Sequence, residues 1–170
     1  MENNHAKKFG LLAGIGTVIF LFLFYWIEKK LMLSPSVIWS TIFLYLIGMY
    51  MAAIEVRRDN EGYIDFRTAL KAAFLVWVIA NAIYHAYNYI LFNFLDTDML
   101  NVQKKYMDEE MNKMEGYIGD DYIQHMRDNI DLLSYDLSQV IFTYVSSLIV
   151  GFALAALIAR MVRRQPTFEA

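Results

Sequence analysis

The chain has 170 residues, of which 58% are hydrophobic and 16% aromatic, with a formal net charge of −3. That apolar share exceeds the roughly 45–50% typical of soluble domains. There is no cysteine, which excludes disulfide frameworks, cysteine-ligated zinc, iron–sulfur clusters and thiol nucleophiles, and no Asn-x-Ser/Thr glycosylation acceptor occurs.

The hydrophobic residues fall in four blocks. The first, FGLLAGIGTVIFLFLFYWI at 9–27, has no charge. Lys7 and Lys8 precede it as they would a signal peptide. It is longer than a signal core, however, and no Ala-x-Ala-like site follows in EKKLMLSP, so a retained helix is expected. The second block, 36–54, ends at Glu55. About twenty apolar residues cross a hydrocarbon core of roughly 30 Å, and only self-satisfied backbones are stable there. Gly10 with Gly14, and Gly48 with Ala52, are small-xxx-small pairs of the kind that let helices approach closely.

Between the second and third blocks lies RRDNEGYIDF. A turn at Asn60–Gly62, a short extended piece and a helix capped by Asp65 are expected. Asp59, Asn60, Glu61 and Asp65 lack the spacing of a calcium loop. Arg57 and Arg58 suit anionic headgroups.

The third block, 69–95, is the longest. Lys71 and Asp96 are about 37 Å apart along a helix rising about 1.5 Å per residue, which puts Asn81 and His85 on either side of the bilayer centre. Asn81, His85 and Asn88, at i, i+4 and i+7, share one face. Intramembrane polar groups point inward and are functional candidates. The leading reading is hydrogen bonding between helices, worth about 0.6 kcal/mol per bond, with Tyr84, Tyr87, Thr143, Ser146 or Ser147 as partners. The sharper reading makes His85 the titrating group of a proton or solute path. No second histidine has metal-ligand spacing.

The block leaves lipid through AYNYILFNFLDTDML, where asparagines and tyrosines give way to Asp96 and Asp98. From 96 to 137 the chain carries eleven Asp/Glu against four Lys/Arg, a net of −7. Leu100, Met107, Met111, Met114 and Ile118 form one helical stripe. Gly116 and Gly119 interrupt it, and Asp120 is placed to cap a second helix striped by Ile123, Met126, Ile130, Leu133 and Leu137. Three roles are open: a lid over the bundle, a docking face for a partner built on the adaptable methionines, or an anchor on the lipid surface, for which the acidic faces are poorly suited.

The fourth block, 138–159, carries Ser147, Gly151, Ala155 and Ala159 every four residues, a smooth ridge for close packing within or between chains. Basic residues set orientation. Nine lie at 1–8, 57–71 and beyond Ala159, against six at Lys29, Lys30, Lys104, Lys105, Lys113 and Arg127. Both termini are therefore expected in the cytoplasm, with Lys29 and Lys30 as the dissenting pair.

DNEGYIDFRTALKAAF, the span ending YNYILFNFLDTDML, the acidic Met-rich segment and the final ALIARMVRR together resemble the four-helix bacterial membrane family known as domain of unknown function 4199. The resemblance covers nearly the whole chain. It implies a Gram-negative inner-membrane setting with 96–137 in the periplasm, and it carries over no catalytic residue. Where that family commonly has Asp-Pro at the exit of the third span, this chain has Asp96-Thr97. A smoother continuation into the outer helix is therefore expected.

The expectation is thus an all-α integral membrane protein of four transmembrane helices, a single membrane domain with an outer amphipathic segment. No phosphate-binding glycine loop, Ser/His/Asp set or nucleic-acid stripe is present, and no cofactor or metal is expected. Its partners are expected to be membrane lipids and either larger membrane proteins or further copies of itself. A non-catalytic accessory or scaffold subunit is the leading function. A transport or channel subunit using Asn81, His85 and Asn88 comes second. An enzyme acting on a lipid-linked substrate near Asp96 and Asp98 is the weakest.

Overall fold

The architecture follows from a computed structural model, which describes residues 2–114, 117, 119–131 and 133–164. In chain order the helices are α1 (Glu2–Ile27), α2 (Lys29–Leu33), α3 (Pro35–Asp59), α4 (Phe66–Ile90), α5 (Met99–Met114), α6 (Asp120–Asp131) and α7 (Leu137–Val162). α4 runs on into one π-helical turn, Leu91–Leu95. Among the described residues there is no strand, only an isolated bridge between Ile64 and Arg164. Four helices, α1, α3, α4 with its π turn, and α7, are long and apolar enough to cross a membrane.

The ends of these helices are set by local chemistry. Pro35 opens α3 at its first turn, where its missing N–H costs nothing. The loop after α3 turns at Asn60–Gly62, with Glu61 and Gly62 at positive φ of 57° and 89°. Asp65 then accepts from the N–H groups of Arg67 (2.9 Å) and Thr68 (3.2 Å) as the N-cap of α4. A bond from the Thr68 side chain, with these two backbone bonds beside it, holds the Asp65 carboxyl below the usual carboxylate range. Asp65→Ala should cost about 1 kcal/mol, read as a lower midpoint in denaturant-induced unfolding.

The helices overrun the apolar blocks at the basic end. α1 starts at Glu2 because its first turns pack on α3: Ala6 is fully buried and His5 Nε2 lies 2.7 Å from Asp59 Oδ2. α3 continues to Asp59 over buried Val56, with Arg57 and Arg58 favourably placed in its last turn. Paired backbone bonds of 3.0 Å between Ile64 and Arg164 tie the interhelical loop to the end of α7.

α4 is the centre of the bundle and packs against α1, α3 and α7. Lipid tails are as apolar as leucine, so helix association in a bilayer depends on fit rather than on hydrophobic drive. All the small-residue pairs are spent on that fit within the chain. A Cβ on Gly10 or Gly14 would come within 2.9 Å of Ile79 Cβ or 2.6 Å of Ile83 Cδ1 on α4, and one on Gly48 would press on Ala13 at 3.2 Å. On the ridge of α7, Gly151 faces the Trp77 indole, and Ala155 and Ala159 are fully buried. The outer surfaces are bare hydrocarbon, with Trp39, Phe43, Phe142 and Ile149 all more than two-thirds exposed. An apolar surface of this extent calls for a lipid solvent.

The exit from α4 differs from the expectation drawn from Thr97. Helical geometry ends at Asp96 (φ −148°, ψ 83°) and α5 begins only at Met99. The Asp96 N–H donates back to Leu91 O at 2.8 Å, closing the π turn. The helix therefore stops without a proline, because Asp96 is held elsewhere by side-chain bonds.

Candidate functional site

α5 and α6 lie over the end of the bundle that carries α2. They enclose a half-open cavity of about 620 Å³ between themselves, α1 to α4 and the segment leading into α7. Met107, Met111 and Met114 of α5 face it, as do Met126 and Ile130 of α6. The methionine stripe is therefore turned toward the bundle. Leu100 packs lower down, in a second core cluster with Leu91, Phe92 and Met99. Ile118 lies outside the described residues, as does Gly116. α6 begins at Asp120, which is therefore its first helical residue and not the expected cap: Ile123 N–H donates to Gly119 O at 3.2 Å.

Charge pairs fasten this cover. Lys29 Nζ lies 2.5 Å from Asp96 Oδ2, and the Tyr25 hydroxyl donates to the same oxygen at 2.8 Å. Lys30 donates to both carboxylate oxygens of Glu109 at 2.8 Å. The Lys29 ammonium, followed by the Tyr25 hydroxyl, holds the Asp96 carboxyl below its ordinary range, and Lys30 does the same for Glu109. Arg127 bonds Asp108 (3.2 Å) and Asn112 (2.5 Å), joining α6 to α5. Asp136 caps α7, and bonds from Ser138, Gln139 and Ser134 bring its carboxyl down to about 2. The two lysines that dissent from the orientation rule are thus both neutralised across loops.

Inside the cavity, polar groups gather on one wall. Tyr84, Asn88, Gln103 and Tyr135 all line it. Asn88 donates to Tyr84 O at 3.0 Å, and the Tyr135 ring stacks on Phe92 with centroids 3.9 Å apart. Burial pushes the Tyr135 hydroxyl up to about 12, Gln103 partly opposing it. Gln103 Oε1 is buried and meets no protein donor.

The three polar residues of α4 separate in role. Asn81 is buried and donates to Ser147 Oγ on α7, so it holds two helices together. Asn88 is buried at the cavity wall. His85 sits between Tyr84 and Tyr144, with ring centroids at 5.1 and 5.8 Å. It lines a smaller space of about 240 Å³ beside Asn88, Tyr135 and Thr143. Among the described residues no group of three or more His, Asp or Glu is placed to hold a metal ion.

Pattern reasoning found the methionine stripe but missed Tyr25, Gln103 and Tyr135, and the partners of Lys29 and Lys30. Asp136-x-x-Gln139 was a readable capping signal. The Lys29–Asp96 and Lys30–Glu109 pairs span more than sixty positions and leave no local trace.

Set against known proteins, residues 8–164 match the family model described as Protein of unknown function (DUF4199). The chain belongs to the DUF4199 family. No curated protein and no solved structure matches the chain. In this DUF4199 member the candidate site is the outer cavity with its α5–α6 cover.

Proposed function

We propose that the chain is an accessory subunit of the bacterial inner membrane that works by binding. In this reading it assembles with larger envelope proteins, with both termini in the cytoplasm and 96–137 in the periplasm. The observation that carries the reading is the cavity under α5–α6. α5 is pinned to the bundle by the Lys30–Glu109 pair and α6 to α5 by Arg127 and Asp108, and beneath them lies a space lined by methionines, which adapt to varied shapes. Its described lining offers packing surface, amides and phenols, with no nucleophile–base pair. The balance of nine basic residues against six supports the orientation.

The test is the mass of the intact species extracted from native membranes in mild detergent. A defined complex containing a larger membrane protein is expected. A chain that emerges alone or only with its own copies would overturn the accessory role.

A second reading, a transport or channel subunit, draws on His85 and Asn88 facing the smaller space next to the main cavity. Against it, the Asn81–Ser147 bond occupies the polar face one turn deeper. Under the accessory reading His85→Leu should leave any flux in reconstituted vesicles unchanged; abolition of a pH-dependent flux with assembly intact would favour transport instead.

A further inference from the structure

The structure assigns the cavity beneath α5–α6 to one hydrocarbon chain of a neutral, single-chain amphiphile drawn from the surrounding bilayer, its uncharged hydroxyl-bearing head against the amides and phenols of the wall. This rests on the proposal that the cavity is the binding element, and it names what is bound.

Size is the first argument. At about 620 Å³ the space falls within the roughly 300–1,000 Å³ of small-molecule pockets. Apolar voids are costly in proportion to their volume, and apolar cavities favour apolar occupants over water. Five of the ten methionines of the chain, Met32, Met107, Met111, Met114 and Met126, line it. So many unbranched, polarizable side chains at one site suit a flexible chain of variable kink better than a rigid ligand.

Access is the second. Ile38 forms part of the wall and is itself partly exposed on α3, beside Trp39 and one turn before Phe43, both on the bare outer surface. The apolar lining therefore continues onto the surface that lipid covers. A chain can enter sideways from the bilayer without crossing water.

The head group is the third. Glu110 is the ionisable carboxylate of the described lining, and Lys113 already neutralises it at 2.6 Å. The remaining polar atoms are amides and phenols. Gln103 bonds the Tyr135 hydroxyl with its side chain and its Oε1 is closed off from the cavity, so this wall presents neutral dipoles and no charge. A phosphate would bring a charge to a wall with no cation among its described lining residues, beneath a segment of net charge −7. A hydroxyl fits the site and an anionic head does not.

The experiment uses the full chain in lipid vesicles with two photoreactive probes that share the same diazirine-bearing acyl chain. One is a monoacylglycerol, the other a lysophosphatidylglycerol, and labelled peptides are mapped by mass spectrometry. The monoacylglycerol should label α5 and α6 around Met107, Met111 and Met126 about tenfold more than the anionic probe does, as expected for one satisfied against one unsatisfied buried polar group. Both should label the outward Ile149 and Phe152 of α7 equally. Met111→Trp, which narrows the space, should reduce the α5–α6 label and leave that of α7.

Label confined to α7 would overturn the site. Equal cavity labelling by both probes in the unaltered chain would overturn the head-group assignment. Neither outcome depends on the larger complex: labelling without a complex would sink the accessory role alone, and a complex without labelling would sink the ligand alone.

Discussion

Gly151→Leu should be among the most damaging single substitutions in the bundle, lowering the midpoint of unfolding in mixed detergent well beyond the effect of Gly16→Leu. A side chain at Gly151 runs directly into the indole of Trp77, whereas one at Gly16 meets nothing within 4 Å. Trp77 cannot swing aside. It is buried in the core and packed edge-on against Tyr45, with centroids 5.2 Å apart at 70°. Relief must come from α7 moving off α4, which also breaks the Asn81–Ser147 contact one turn away. Forcing added carbons into a packed core costs about 1–3 kcal/mol, and a branched side chain against a fixed ring lies at the upper end. Trp77→Ala should recover part of the loss in the double variant, since residues in contact couple by about 0.5–3 kcal/mol. Simple additivity of the two substitutions would show that the ridge does not act through Trp77.

The same contact shows what the sequence could disclose. The four apolar blocks, the Asp65 cap and the turn at Asn60–Gly62 depend on residues near one another in the chain, so composition and spacing reveal them. The every-fourth-residue ridge was equally plain, but its target was not: nothing in Ser147, Gly151, Ala155 and Ala159 distinguishes a contact within the chain from one between chains. Trp77 decides it, seventy-four positions away. The methionine stripe was legible as an amphipathic face for the same reason, while the direction it turns was not. That direction depends on Lys29 and Lys30 meeting Asp96 and Glu109 from distant parts of the sequence. Long-range ion pairs follow from three-dimensional closure, and the periodicity of a helix carries no record of them.

Those pairs make the cover sensitive to acid. Asp96 is the main fastening: its side chain is only 12% exposed and it accepts from both Lys29 and Tyr25. Lys29 first, with Tyr25 assisting against the opposing effect of burial, keeps its folded-state pKa below the unfolded value. A carboxylate lowered in this way contributes stability that is complete above its unfolded pKa of about 3.9 and is lost as pH falls through the lower folded value. Glu109 shifts in the same direction through Lys30, so both fastenings hold at neutral pH and release together below about pH 4. Hydrogen-exchange protection of α5, taken relative to the intrinsic rate at each pH, should fall on acidification through that window, while α4 and α7 in the bundle stay protected. Asp96→Ala should produce the same loosening of α5 at pH 7, by about 2 kcal/mol, the worth of hydrogen bonds to a charged group. It should also flatten most of the remaining pH dependence. If α5 stays as protected at pH 3 as at pH 7, and in the alanine variant as in the unaltered chain, the outer helices are held by the apolar walls of the cavity and not by its ion pairs.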